Sequence, residues 1–326
     1  MRFFGILASF AVLSAVLASP TTLKPIQRHR GQVVDGSYIV TLKDGVDKKA
    51  LVDALGLELT HDWQKSIHGF AGKFSDDALN ALRASDAVNT IAEDGMVYAW
   101  ATQDDAPWGL SRLSSTEKIA GSDVGGLNYK YTYDDKAGEG VDVYVIDTGV
   151  YVEHNQFDGR ATWGFSGNYS DKDEHGHGTH CAGTIAGKQY GVAKAANVIA
   201  VRVLDGNGSG SDADVVSGMD FVLTNVKTTG RPSVVSMSLG GSAAQVIDDA
   251  VDALTGAGVH VVVAAGNDNS DAKDYSPARV PSAITVGASN IKDARASFSN
   301  YGEIVDIFAP GEQIISAWIG KPDVRP

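Results

Sequence analysis

The sequence predicts an α/β protein, a doubly wound parallel sheet preceded by a small α+β domain. Three observations carry that expectation. After residue 140, five short segments are β-branched and apolar almost throughout, as strands buried on both faces are. The stretches between them repeat apolar residues at helical spacing, so strand and helix alternate. Before residue 100 the grammar differs, with short strands interleaved with two compact helices.

Taken in order, residues 1–18 read as an export signal rather than as fold. Arg2 is the charged start, Phe3 to Leu17 form a short apolar run, and small Val16 and Ala18 precede a cleavage point at Ser19. The run is too short for a membrane span. Residues 19–100 then form one domain, its folded part about 36–100. "SYIVTL" (37–42) alternates like a strand, and "VDKKALVDAL" (46–55) has helical spacing. "HGFAGKF" (68–74) is strand-like. Ser75 caps a second helix, "DDALNALRAS", whose Asp76 and Asp77 sit at its positive end. "VNTIAED" and "MVYAW" are two further strand candidates. "ATQDDAP" (101–107) is polar and proline-bearing, which predicts an exposed linker open to proteolysis.

The parallel sheet is expected from "VDVYVI" (141–146), "NVIAVRV" (197–203), "SVVSMSL" (233–239), "VHVVVAA" (259–265) and "AITVGA" (283–288). Val215, Met219, Val222 and Val226 line one helix, and Val246, Ala250, Val251 and Leu254 a second. "TGAG" (255–258) ends that second helix.

The bulk numbers narrow the partners. A net charge of -13 argues against nucleic acid and against an anionic membrane surface. It fits a secreted, soluble protein, or simply a well-solvated surface, and a monomer is expected. The one cysteine, Cys181, can form no internal disulfide, so stability rests on packing or bound ions. Sequons at Asn168 and Asn207 are candidate glycan acceptors on an export route.

Sites in open parallel sheets gather at the carboxyl ends of strands. Asp147-Thr148-Gly149, Ser238-Leu239-Gly240 and Ala264-Ala265-Gly266-Asn267 follow three of the strands there. "DEHGHGTHCAG" (173–183) adds three histidines. His177 and His180, one helical turn apart, would suit two metal ligands, with His175 and Cys181 added. No HExxH or paired CxxC accompanies them, so a metal is the lesser reading and His180 a packed structural residue. His177 is better placed to face the rim, where Asp147 would accept its Nδ1 proton and fix the tautomer. An Asp-Thr-Gly after an apolar strand also occurs in aspartic proteases, but they need two such carboxylates and this chain has one. The Asn267 carboxamide could face a developing oxyanion, or could simply occupy a turn. Ser238 to Gly240 and Gly208 to Gly210 are glycine-rich edges to which an extended peptide could add, or plain loops.

"VYVIDTG", "GHGTHCAGTIAG", "SMSLGG", "VVVAAGN" and "SFSNYGEIVDIFAPG", in this order, resemble the subtilisin-like serine proteases, in particular the secreted fungal proteinase K group. The resemblance implies a serine endopeptidase acting on polypeptides, made as a zymogen with its own inhibitory propeptide (19–100). "APWGL" (106–110) resembles a mature amino terminus, which places processing near Trp100–Ala101 and the catalytic domain at 101–326. It implies Asp147 as orienting acid, His177 as general base and Asn267 as oxyanion donor. Gly208, Ser209, Gly210, Ser238, Leu239 and Gly240 would clamp substrate backbone, and Ala264, Ala265 and Gly266 would wall the side-chain pocket. It further implies a structural calcium on the main-chain oxygens of Pro281 and Ala283 with the Asp306 carboxylate, a free Cys181, and a secreted or vacuolar destination.

The family's nucleophile sits in a Gly-Thr-Ser-Met-Ala turn that these 326 residues do not contain. A strand at "IISAWIG" (314–320) leads instead into "KPDVRP". Ser238 and Ser209 belong to the substrate edges, so no nucleophile is assigned. The expectation is an incomplete catalytic domain, marginally folded, inactive as a protease and still joined to its propeptide. The alternative is a non-catalytic pseudo-protease, or an inhibitor acting through its amino-terminal domain.

Overall fold

The structure, a computed structural model, describes residues 23–97 and 100–320. The export signal and "KPDVRP" lie outside the described residues, as do Tyr98 and Ala99 of "MVYAW". The described chain divides into two compact units, 23–97 and 100–320.

In the first unit, β1 (Ile26–Gln27), β2 (Val33–Leu42), β3 (His61–Trp63), β4 (Gly69–Lys73) and β5 (Val88–Gly95) form one sheet in the order β1-β5-β2-β4-β3. Only β1 and β5 run parallel in it. Two helices interrupt the strands, α1 (Lys48–Leu55) and α2 (Asp76–Ala84). Each starts on a side-chain cap, Asp47 accepting from Ala50 N–H and Ser75 from Ala78 N–H. Residues of β2, β4 and β5 and one face of α2 meet in a core where Val40, Phe70, Leu82 and Ile91 are fully buried.

The second unit opens with β6 (Trp100–Ala106), α3 (Trp108–Leu113) and β7 (Tyr129–Asp134). The polar run expected to be a linker is therefore a strand, paired antiparallel with β7. Its composition hid an alternation: Ala101 and Gln103 are half-buried while Thr102 and Asp104 point to solvent. Met96 and Val97 lie outside any strand.

The main sheet follows: β8 (Asp142–Asp147), β9 (Ala161–Phe165), α4 (His177–Ala186), β10 (Asn197–Arg202), α5 (Asp212–Thr229) and β11 (Ser233–Met237). After the short β12 (Gly241–Ser242) come α6 (Gln245–Gly256), β13 (His260–Ala264), the short β14 (Tyr275–Ser276), β15 (Ile284–Ser289) and β16 (Ile307–Pro310). Seven strands pair in the order β16-β15-β13-β11-β8-β10-β9, all parallel. All five expected segments are strands of this sheet. Apolar clusters occupy both faces, one built with α5 and α6 and the other with α4.

Two expectations are corrected. Ile314 to Gly320 pairs with no strand; Ile314 O accepts from the His180 ring and Ser316 Oγ donates to His180 O, so side chains hold that segment against α4. On α6 the buried apolar residues are Ile247, Val251 and Leu254, whereas Val246 is exposed. Among the described residues no helix is long and apolar enough to cross a membrane.

The α5 face gives a direct check. Met219→Ala should cost about 2–5 kcal/mol through a cavity between α5 and the sheet, whereas Val246→Ala should stay within about 0.5 kcal/mol, as surface changes do. Chemical denaturation of both variants measures the difference.

Candidate active site

Asp147 ends β8, a central strand with β10 on one side and β11 on the other, and its carboxylate is fully buried. The turn that follows includes Gly149 at φ +107°, a conformation that side chains resist. That turn admits the start of α4 at close range. A Cβ on Gly178 would collide with the Gly149 carbonyl oxygen, so the small residue lets α4 approach. His177, the first residue of α4, is thereby brought against the acid. Its Nδ1 lies 2.7 Å from Asp147 Oδ1 and 2.9 Å from Oδ2, and the Thr148 N–H donates to Oδ1 at 2.7 Å.

The His177 ring is raised above its ordinary pKa, first by its hydrogen bond to Asp147 and next by Cys181, with burial opposing. The Cys181 thiol is free and sits 3.9 Å from His177 Nε2. Burial pushes His180 the other way, and its Nε2 pairs with Ile314 O at 2.9 Å. The three imidazoles thus do not converge on one point as metal ligands would. Among the described residues, Asp147, His177 and Cys181 are the group whose ligand atoms fall within 4.8 Å of one another.

Beside His177 opens a cavity of about 590 Å³. Gly208, Ser209 and Gly210 line it from the loop after β10, and Ser238, Leu239 and Gly240 from the loop after β11. Leu204, Val215 and Ile247 add apolar surface to it. Ala264, Ala265, Gly266 and Asn267 follow β13, the next strand along the rim, but do not line this cavity. Asn267 is exposed on a turn. Pro281 and Ala283 occupy the turn before β15, and Asp306 Oδ2 accepts the N–H of Thr285, two residues beyond Ala283, at 2.8 Å.

Three residues assigned no role in the sequence reading hold this rim. Asn300, fully buried, donates to Ala265 O and accepts from Asp268 and Ser270 N–H, fixing the turn that carries Asn267. Arg202, paired in register with Asp147, is 1% exposed and donates to Ser170 O, Lys172 O and Glu174 Oε2. Asp173, 3% exposed, accepts several donors at the start of α4. A polar residue four positions before a glycine-rich helix start was the available signal for Asp173.

A buried acid orienting the Nδ1 side of a half-exposed imidazole beside a peptide-sized groove is the geometry of hydrolases with an Asp-His pair. The comparisons with known proteins agree. The pattern described as "Subtilase family" matches residues 138–324, and "Peptidase inhibitor I9" matches residues 37–99. The chain is 49% identical to the Aspergillus niger subtilisin-like serine protease pepC over 82% of this chain and 52% of that protein. It is 44% identical to the Metarhizium anisopliae cuticle-degrading protease over 96% of this chain and 82% of that one. A crystal structure of a cold-adapted subtilisin-like serine proteinase aligns with TM-score 0.59 and 46% identity, over 66% of this chain and 76% of that one. The chain belongs to the subtilase family. It spans about half the length of pepC, 52%.

The raised His177 pKa fixes a sign. The pair's contribution to stability is fully present below the ordinary histidine value of about 6.5 and is lost as pH rises through the raised value. Asp147→Asn should lower the His177 pKa in an NMR titration. Its stability deficit relative to the parent should be largest at acid pH and shrink as pH climbs.

Proposed function

We propose that this chain carries the acid–base half of a subtilisin-type serine endopeptidase. Asp147 orients the ring and stabilises the imidazolium, His177 is the general base, and Asn267 is the oxyanion donor. The observation that carries this reading is the 2.7 Å contact between His177 Nδ1 and a fully buried Asp147 carboxylate at the mouth of the groove. Polypeptide substrates would extend between Gly208–Gly210 and Ser238–Gly240, with Ala264–Gly266 walling the side chain next to the scissile bond. The first unit, matched to an inhibitor family, is the chain's own propeptide, and the product is a secreted monomer.

Among the described residues, the ring's other nitrogen faces no hydroxyl. His177 Nε2 has Cys181 Sγ at 3.9 Å as its polar neighbour, and Ser209 and Ser238 belong to the groove's two flanks. Among the described residues, therefore, no hydroxyl stands ready for His177 to deprotonate. Incubated with a fluorogenic peptide, the 326-residue polypeptide should show no turnover above background. Hydrolysis at about 1 s⁻¹ or faster, within the ordinary range for enzymes, and blocked by a serine-directed phosphonate, would overturn this.

The inhibitor match over residues 37–99 supports a second reading, in which the chain restrains a related protease through its first unit. Titration against an active subtilase separates the two, since sub-micromolar inhibition belongs to the second reading alone.

The oxygen-only set of Pro281 O, Ala283 O and the Asp306 carboxylate suits a hard cation, and Asp306 Oδ2 also accepts the Thr285 N–H. These residues would hold a structural calcium that ties the turn before β15 to the start of β16. Saturating calcium should raise the melting temperature, as any ligand of the native state does. A chelator should reverse the rise, and Asp306→Asn should abolish it.

A further inference from the structure

Neither Asp147 nor His177 sets their separation alone. Each belongs to a backbone segment, the turn after β8 or the first turn of α4, and those two segments meet on one buried side chain. Asp173 Oδ1 accepts from Thr148 Oγ1 at 3.0 Å, His175 N at 3.0 Å and Gly176 N at 2.8 Å. Its Oδ2 accepts from Thr179 N at 3.0 Å and Thr179 Oγ1 at 2.6 Å. The two hydroxyls pass the connection on. Thr148 Oγ1 accepts from Gly178 N at 3.0 Å, and Thr179 Oγ1 accepts from Tyr151 N at 2.8 Å.

All five donors to Asp173 come from within two residues of Asp147 or His177. We propose that Asp173 is the positioning residue of this site, the buried carboxylate that sets how Asp147 and His177 meet. The proposal rests on the acid–base reading given above and adds a residue that never touches substrate.

Two physical effects combine. The first is geometric. Acid–base pairs must be held within about 0.5 Å of the working arrangement. Five donors on one immobile acceptor fix the start of α4 against the turn after β8 with that tightness. The second is electrostatic. A helix start carries partial positive charge, which disfavours a protonated ring at its first residue. The Asp173 carboxylate faces the same backbone N–H groups and offsets that charge beneath His177.

The other groups able to influence the ring are Asp147, His175 with its ring centre 6.3 Å away, Cys181 at 3.9 Å, and His180 one turn along α4. Of these, Asp147 alone links the two segments, and it does so through the ring itself, whereas Asp173 links their backbones.

The test uses the full 326-residue chain and three variants, Asp173→Asn, Thr148→Val and Asp147→Asn. NMR follows the His177 ring titration and its low-field Nδ1–H resonance, and circular dichroism follows the melt. In Asp173→Asn the His177 pKa should fall by about one unit, comparable to the spread among protein histidines, and the Nδ1–H resonance should broaden or move upfield while the melt stays cooperative. Thr148→Val keeps side-chain shape and removes only the hydroxyl relay, so it should weaken the resonance in the same direction. It decides the matter should Asp173→Asn fail to fold. A lower melting temperature with unchanged His177 titration and resonance would reduce Asp173 to an ordinary helix cap and overturn the proposal. Asp147→Asn is the independent control. If it leaves the His177 titration untouched, the acid–base reading falls, whatever Asp173 does.

Discussion

A carboxylate with no solvent at the carboxyl end of a central strand is the constraint around which this rim is organised. Burying the Asp147 charge is costly unless donors are supplied. The chain supplies the adjacent Thr148 N–H and the His177 ring at 2.7 Å each. Satisfying the acid and orienting the imidazole are the same event. Both demand that a helix start come within hydrogen-bond reach of a strand end. Gly149 and Gly178 make that approach sterically feasible, since a side chain at either would meet backbone or ring atoms.

The sheet order then determines what surrounds the pair. Because β8 lies between β10 and β11, the loops leaving those two strands flank the same end of the sheet. One delivers Gly208 to Gly210 and the other Ser238 to Gly240, with α5 and α6 packed on one face and α4 on the opposite one. The groove is a consequence of the parallel order, in which β8 is the first strand and its neighbours leave on both sides.

Much of this was legible in the residues. The five apolar segments are all strands, and period and length sufficed because both faces are buried. The pairing of Asp147 with His177 followed from a strand-end acid and a histidine opening a small-residue helix. The failures share a cause. "ATQDDAP" is polar yet forms β6, because its partner β7 supplies the tyrosines that composition alone could not credit to it. "IISAWIG" has strand composition yet pairs with no strand, because its polar contacts go to His180. Val246 fits a helical stripe but lies past the edge of the face that the sheet covers. Asp173 and Asn300 received no individual role from the sequence because their significance lies in the number of backbone donors around them. That number depends on how distant segments fold together, which no local pattern encodes.

The two halves of the site are held by different means, and the difference has chemical sense. The acid–base side is fixed by buried acceptors, with Asp173 and Asp147 each engaged by several donors, so a small displacement would strand hydrogen bonds in a dry environment. The groove side is held at its margins. Asp205 accepts from Asn207 and Ser209 N–H on an exposed loop, and these contacts compete with water. Such a loop adjusts at little cost, whereas the Asp147–His177 geometry does not. Proton transfer tolerates little error in distance, while recognition of an extended backbone along glycine-rich edges tolerates, and uses, some give. On the proposed acid–base reading, the distribution of buried carboxylates along the rim marks where proton transfer would demand rigidity, and the exposed turns mark where a substrate would be accommodated.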